Sequence, residues 1–249
     1  MADAARVETL RHFRQADLKA ESKRVDFDPV TVADRGAEAA MRAVLAERRP
    51  DDGILGEEFA AKAGTSGLTW VLDPIDGTRG YISGTPTWGV LIALSNADGV
   101  VLGAIDQPYI GERFYGGPGR ADMLGPMGAR DLKVRATTDL ADATLFTTFP
   151  EVGTLDEGRA FARVADEVRL TRYGCDCYAY ALVAAGQIDL VIEAGLQAYD
   201  VQAPIAVVEA AGGVVTNWSG GAVHEGGQVI AAATPELHRA ALALLAQGR

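Results

Sequence analysis

Residues 70–95 read WVLDPIDGTRGYISGTPTWGVLIALS. The apolar run Trp70-Val71-Leu72 is followed at once by two aspartates three positions apart, Asp73 and Asp76. Gly77-Thr78 comes next, and a second apolar run covers 87–95. Runs of this length and composition predict buried strands. Carboxylates at the end of such a strand lie near a low-dielectric interior, where each costs several kcal/mol unless a cation neutralises it. Hard cations such as magnesium take carboxylate and carbonyl oxygen and keep positions open for water and phosphate. Gly77-Thr78 allows close backbone approach, and a helix opening there would turn its N–H groups toward an anion. The plainer reading of Asp-Pro-Ile-Asp-Gly is a turn with an Asx cap. The length of the string, with Glu57-Glu58 upstream and Tyr199-Asp200 downstream, favours a metal site.

Working outward, Asn96-Ala97-Asp98-Gly99 is a good hairpin turn into a strand at 100–106, and 112–116 reads as a further strand, so this region is antiparallel sheet. Upstream, Val7, Leu10, Phe13 and Leu18 recur at helical spacing, as do Ala39, Met41, Val44 and Leu45 before Pro50. Between these two helices, residues 23–34 are polar and read as extended around Pro29, presenting Lys23 and Asp34. Residues 116–128 are a Gly/Pro-rich stretch. Beyond it come a strand at 144–148, a helix at 156–167, a strand at 169–173 and a helix at 176–186. A strand at 188–193, a helix at 200–211 and strands at 213–217 and 228–232 follow, with a last helix opened by Thr234-Pro235-Glu236. The expectation is an α+β lobe over 1–130, carrying most of the acids, joined to an α/β lobe over 131–249 that supplies Asp200. Helix and sheet layers should alternate.

Composition narrows the partners. The chain has 249 residues, with 23 Lys+Arg against 34 Asp+Glu for a formal charge of −11, and no basic run, so neither nucleic acid nor a membrane surface is expected to bind. Three His and two Cys are too few and too scattered for a His/Cys metal centre; if a metal is present, carboxylates hold it. Cys175 and Cys177 are too close to close a useful disulfide loop, which reads as a reducing compartment. With no signal-like leader and no long apolar span, the default location is the cytoplasm.

Lys23, Asp34, GEE at 56–58, DPIDGT at 73–78, and YD at 199–200 followed by AGG at 211–213 resemble the inositol monophosphatase superfamily of magnesium-dependent phosphatases. Within it, DQPYIGERFYG at 106–116 and TRYGCDCYAYALVAAGQIDLVIEAGLQAYD at 171–200 look most like the histidinol-phosphatase branch. The resemblance implies a layered αβαβα sandwich, a homodimer, two or three Mg2+ ions, and hydrolysis of L-histidinol phosphate in histidine biosynthesis. It implies metal ligands at Glu57, Asp73, the Ile75 carbonyl, Asp76 and Asp200, with Glu58 behind Glu57. Asp34 and Thr78 match the pair that orients and deprotonates the attacking water, and Glu57 is counted with them among the catalytic residues. Gly77 and Thr78 match the phosphate cradle. Tyr199 stands where much of the superfamily has Trp.

Substrate contacts are expected from Glu193 and Asp176, because histidinol phosphate carries an amine and an imidazole that carboxylates would attract. Asp176 can equally be a helix N-cap. Arg79 reaches either the phosphate or an acid, while Tyr81 and Trp88 either wall the pocket or belong to the core. The nearest alternative activity is an inositol monophosphatase or a broader sugar- or nucleotide-phosphate phosphatase. A metal-free carboxylate-pair glycosidase and a non-catalytic binding protein are further alternatives, the last disfavoured by the complete ligand set.

Overall fold

Strand side chains alternate between two faces, and here both faces of the central strands are apolar, so each sheet needs helices on both sides. The computed structural model describes residues 1–16, 18–22 and 29–247. Chain order gives α1 (Ala2–His12), β1 (Ala20–Ser22), β2 (Pro29–Thr31), α2 (Val32–Arg48), β3 (Gly53–Gly56), β4 (Thr69–Asp76) and the short α3 (Thr78–Ile82). Then come β5 (Gly89–Asn96), β6 (Gly99–Gln107), β7 (Glu112–Gly117), β8 (Arg120–Gly125), β9 (Gly128–Asp131) and β10 (Thr144–Thr147). The remainder is α4 (Leu155–Ala165), β11 (Leu170–Tyr173), α5 (Cys177–Ala184), β12 (Leu190–Gln197), α6 (Ala198–Ala210), β13 (Val214–Thr216), β14 (Gly226–Ala232) and α7 (Pro235–Leu245).

Among the described residues, β3 to β9 form a seven-stranded sheet in sequence order, antiparallel except for the β3/β4 pair. A five-stranded sheet has the order β11-β10-β12-β14-β13. In β4 and β5, Leu72, Val90 and Ile92 pack under α1 and α2, while Val71, Leu91 and Ala93 turn to the opposite side, against α5 and α6. The second sheet repeats the device. Val191, Val229 and Ala231 face α5 and α6, while Leu190, Ile192 and Ile230 face α4 and α7. The layers are therefore α1/α2, sheet, α5/α6, sheet, α4/α7, the alternating sandwich expected from the sequence.

Several expectations are corrected. The first helix stops at His12, not Leu18, because Phe13 is extended and Arg14 takes φ +60. The Gly/Pro-rich stretch at 116–128 carries β8 and the start of β9, with Pro118-Gly119 and Pro126 at the turns of the β7-β8-β9 meander. Gly53–Gly56 adds an unforeseen strand. Asp34 lies in the first turn of α2, not on an extended segment, because Thr31 caps that helix. Lys23 lies outside the described residues. Tyr81 and Trp88 are core: both are buried and pack with Phe13 and Ile75.

Candidate metal centre and active-site cleft

Two residues three apart on a regular strand point to opposite faces. In β4, Asp73 pairs with Leu91 and Asp76 with Gly89, so three steps on β4 answer two on β5. This bulge, at Pro74, which has no N–H to lose, turns both aspartates to one side. The acids are thus inside the strand end and not after it. β12 uses the same device between Glu193 and Leu196, opposite Val229 and Gly227, so its acid belongs to a strand that runs on to Gln197.

Helix starts supply the other acids. Asp34 is the third residue of α2, and its Oδ2 accepts from the Thr31 backbone N–H at 2.8 Å and the Thr31 hydroxyl at 2.6 Å. Asp200 is the third residue of α6 and accepts from the Gln197 N–H at 2.6 Å. In each case the cap engages Oδ2 and fixes the carboxylate, while the positive helix end favours its charge. Asp34 Oδ1 accepts from Thr78 Oγ1 at 3.3 Å, and the same hydroxyl lies 3.0 Å from the Ile75 carbonyl oxygen.

Asp73, Asp76 and Asp200 bring carboxylate oxygens within 4.8 Å of one another. Asp73 is buried, and burial followed by the charges of Glu57, Asp76, Asp200 and Asp34 holds its pKa well above the ordinary carboxylate range. Burial, then the charges of Asp176 and Asp200, does the same to Asp76, although the Cys177 N–H donates to its Oδ2 at 2.6 Å. Glu57 lines the same cleft but stands outside that trio. A donor set made wholly of oxygen, crowded enough to raise its own pKa values, fits a hard divalent cation such as magnesium.

The cleft encloses about 330 Å³ between the bulged ends of β4 and β12 and the starts of α3, α5 and α6. Gly77 opens α3 at φ +83, and a Cβ there would lie 2.7 Å from the Asp176 carboxyl carbon. Asp176 occupies the N-cap position of α5 yet makes no side-chain cap, with φ 45 and ψ −137 after positive φ at Gly174 and Cys175. Strain of this kind persists where the surroundings impose it. Burial and the nearby charge of Glu193, opposed by Arg79, push the Asp176 carboxyl up to about 7. The Arg79 guanidinium stands 5.0 Å from the Phe149 ring centre. Glu193 is buried and oriented: its Oε1 accepts from the Thr148 N–H and hydroxyl, and its Oε2 from the Tyr180 hydroxyl at 2.7 Å.

Glu57, Asp73, Ile75, Asp76, Gly77, Thr78, Arg79, Asp176, Glu193 and Asp200 line one cleft, and Asp34 reaches it through Thr78, whereas Glu58, Tyr81 and Trp88 stand outside it. Sequence reading missed Thr148, Phe149 and Tyr180. The signal was there for the first two, which follow the carboxyl end of a strand that β11 and β12 flank in parallel.

Comparison with known proteins places this geometry. The model of the Inositol monophosphatase family matches residues 2–248. The bifunctional phosphatase IMPL2, chloroplastic, of Arabidopsis thaliana is 42% identical over 87% of this chain, which spans 65% of that protein. A histidinol-phosphatase of Streptomyces coelicolor is 37% identical, covering 88% of this chain and 85% of its own. The solved structure of an inositol monophosphatase from Zymomonas mobilis superposes with a TM-score of 0.85 and 37% identity, over 98% of this chain and 94% of that one.

Proposed function

The chain belongs to the inositol monophosphatase family, and from that premise we propose that it is a magnesium-dependent phosphatase hydrolysing L-histidinol phosphate to L-histidinol and phosphate. Glu57, Asp73, the Ile75 carbonyl, Asp76 and Asp200 would hold two or three magnesium ions, the first four from the lobe ending near 130 and Asp200 from the lobe beyond it. Bound there, magnesium supplies the positive charge that draws in the phosphate and lowers the pKa of water. Thr78 and Asp34 orient the attacking water and take its proton, Thr78 donating to Asp34 at 3.3 Å. The water oxygen bonds to phosphorus as the ester P–O bond breaks, and a solvent water gives the leaving alkoxide its proton. The backbone of Gly77 and Thr78 receives the phosphate oxygens.

One observation carries the choice of substrate: an uncapped, strained Asp176 packs directly over Gly77, with Glu193 beside it. With the phosphate of L-histidinol phosphate held at Gly77, the amine and imidazole of the substrate would meet two carboxylates, and charge-assisted hydrogen bonds of this kind are the strong ones. Inositol 1-phosphate is the second reading, favoured by the 37% identity to the Zymomonas enzyme. Purified protein supplied with magnesium should release phosphate from L-histidinol phosphate, lose that activity in EDTA and regain it on adding magnesium. Turnover that survives chelation would contradict the reading and favour a metal-free carboxylate mechanism.

A further inference from the structure

Asp34 and Glu38 lie four residues apart on one face of α2. Asp34 meets Thr78. Glu38, fully buried, passes behind the Gly56-Glu57-Glu58 turn: its Oε2 accepts from the Glu58 backbone N–H at 2.7 Å and its Oε1 from Arg42 Nε at 2.7 Å. The turn is gripped at each neighbouring residue as well. The Glu57 N–H donates to the Leu72 carbonyl at 3.3 Å, and Arg42 donates to the Phe59 carbonyl at 3.2 Å while lying over its ring. Gly56 is what lets the carboxylate through, since a Cβ there would sit 2.0 Å from Glu38 Oε1.

We propose that Glu38 is a positioning residue for the cation site, setting the backbone that aims Glu57 at Asp73, with Arg42 cancelling its charge so that it orients the acidic cleft without adding to its repulsion. The proposal rests on reading the cleft as a cation site. Glu57 lines the same cleft as Asp73, Asp76 and Asp200, so a shift of the turn is felt where a cation would bind. Partners standing behind a ligand typically alter metal affinity by about 10–100-fold when removed.

Magnesium alone, titrated into the full chain by calorimetry, provides the test. Glu38→Ala should weaken binding about tenfold or more, whereas Glu38→Gln, which keeps an oxygen for the Glu58 N–H, should stay within about threefold of wild type. Gly56→Ala disturbs the same contact from the other side: φ at Gly56 lies outside the left-handed region, and the three atoms nearest a Cβ there all belong to the Glu38 carboxylate. It too should weaken binding about tenfold, yet cost little more once Glu38→Ala has removed the side chain it strikes. Magnesium binding unchanged in both single variants, additive losses in the double variant, or a lower melting temperature in EDTA with unchanged affinity would overturn the role of Glu38. Failure of the wild-type chain to bind magnesium would instead overturn the cation site itself.

Discussion

Replacing Asp73 with asparagine removes a charge and keeps the shape. The asparagine carbonyl can still accept the Ile75 N–H, now 3.0 Å from Asp73 Oδ1. Before the change, Asp73 faces Asp76 and Asp200 at up to 4.8 Å, where each pair of charges repels by about 3.5 kcal/mol at an effective dielectric constant near 20. The strain is bounded, because the cluster can take up a proton. Holding one at about pH 7.5 on a group whose ordinary value is 3.8 costs about 5 kcal/mol. Solvent reaching the half-buried Asp76 and Asp200 lowers the relief further, to roughly 2–3 kcal/mol. For a chain of this length that raises the melting temperature by about 5–10 °C in EDTA. Wild type should gain a similar amount from magnesium at a hundred times its Kd, roughly 2.7 kcal/mol, and the variant nothing. Thermal unfolding in EDTA and across a magnesium series reads both shifts. An Asn variant less stable than wild type without metal, or one that magnesium still stabilises, would refute the reasoning.

The same groups set the pH dependence. The pKa values of Asp73 and Asp76 are raised on folding, so between the ordinary value and the raised one the folded state binds more protons than the unfolded state, and stability falls as pH rises. In EDTA the melting temperature should fall as pH rises above the ordinary carboxylate range through this cluster, and magnesium should flatten the slope; parallel slopes with and without metal would contradict it. Thr78→Ala should lower kcat by about 10²–10³ while leaving the magnesium-induced thermal shift intact, measured by phosphate release and unfolding on one preparation. Asp106, fully buried, accepts from Arg6 at 2.8 and 2.6 Å and from Arg113 at 2.6 Å, tying α1 to the first sheet. Asp106→Ala should therefore cost about 3 kcal/mol in urea unfolding, equally with and without magnesium.

The acids of the cleft were legible one by one because a carboxylate beside an apolar run is chemically conspicuous. Their convergence was not. Asp73 and Asp76 share a side only through a bulge, and bulges depend on how β4 and β5 pair. Asp34 looked like part of an extended segment because Pro29 dominates its surroundings, although Thr31 and Asp34 have the spacing of a capping box. The layers followed from apolar alternation, yet β8 and β9 hid behind the glycines and prolines that make their turns. Asp176 was expected either to cap α5 or to face the substrate, and only its backbone angles exclude capping. Glu38 carries no signal in the sequence: a glutamate within a helix is ordinary, and only the fold sets it against a turn residue that lacks a Cβ.

The most direct test of substrate choice is the ratio of kcat/KM for L-histidinol phosphate to that for inositol 1-phosphate, at saturating magnesium. Two charge-assisted contacts, at Asp176 and Glu193, are together worth about 3 kcal/mol or more, so the ratio should exceed about 100. It should fall about tenfold in the Asp176→Ala variant, which leaves the Glu193 contact in place. A wild-type ratio at or below one would contradict the assignment and make inositol phosphates the substrate class.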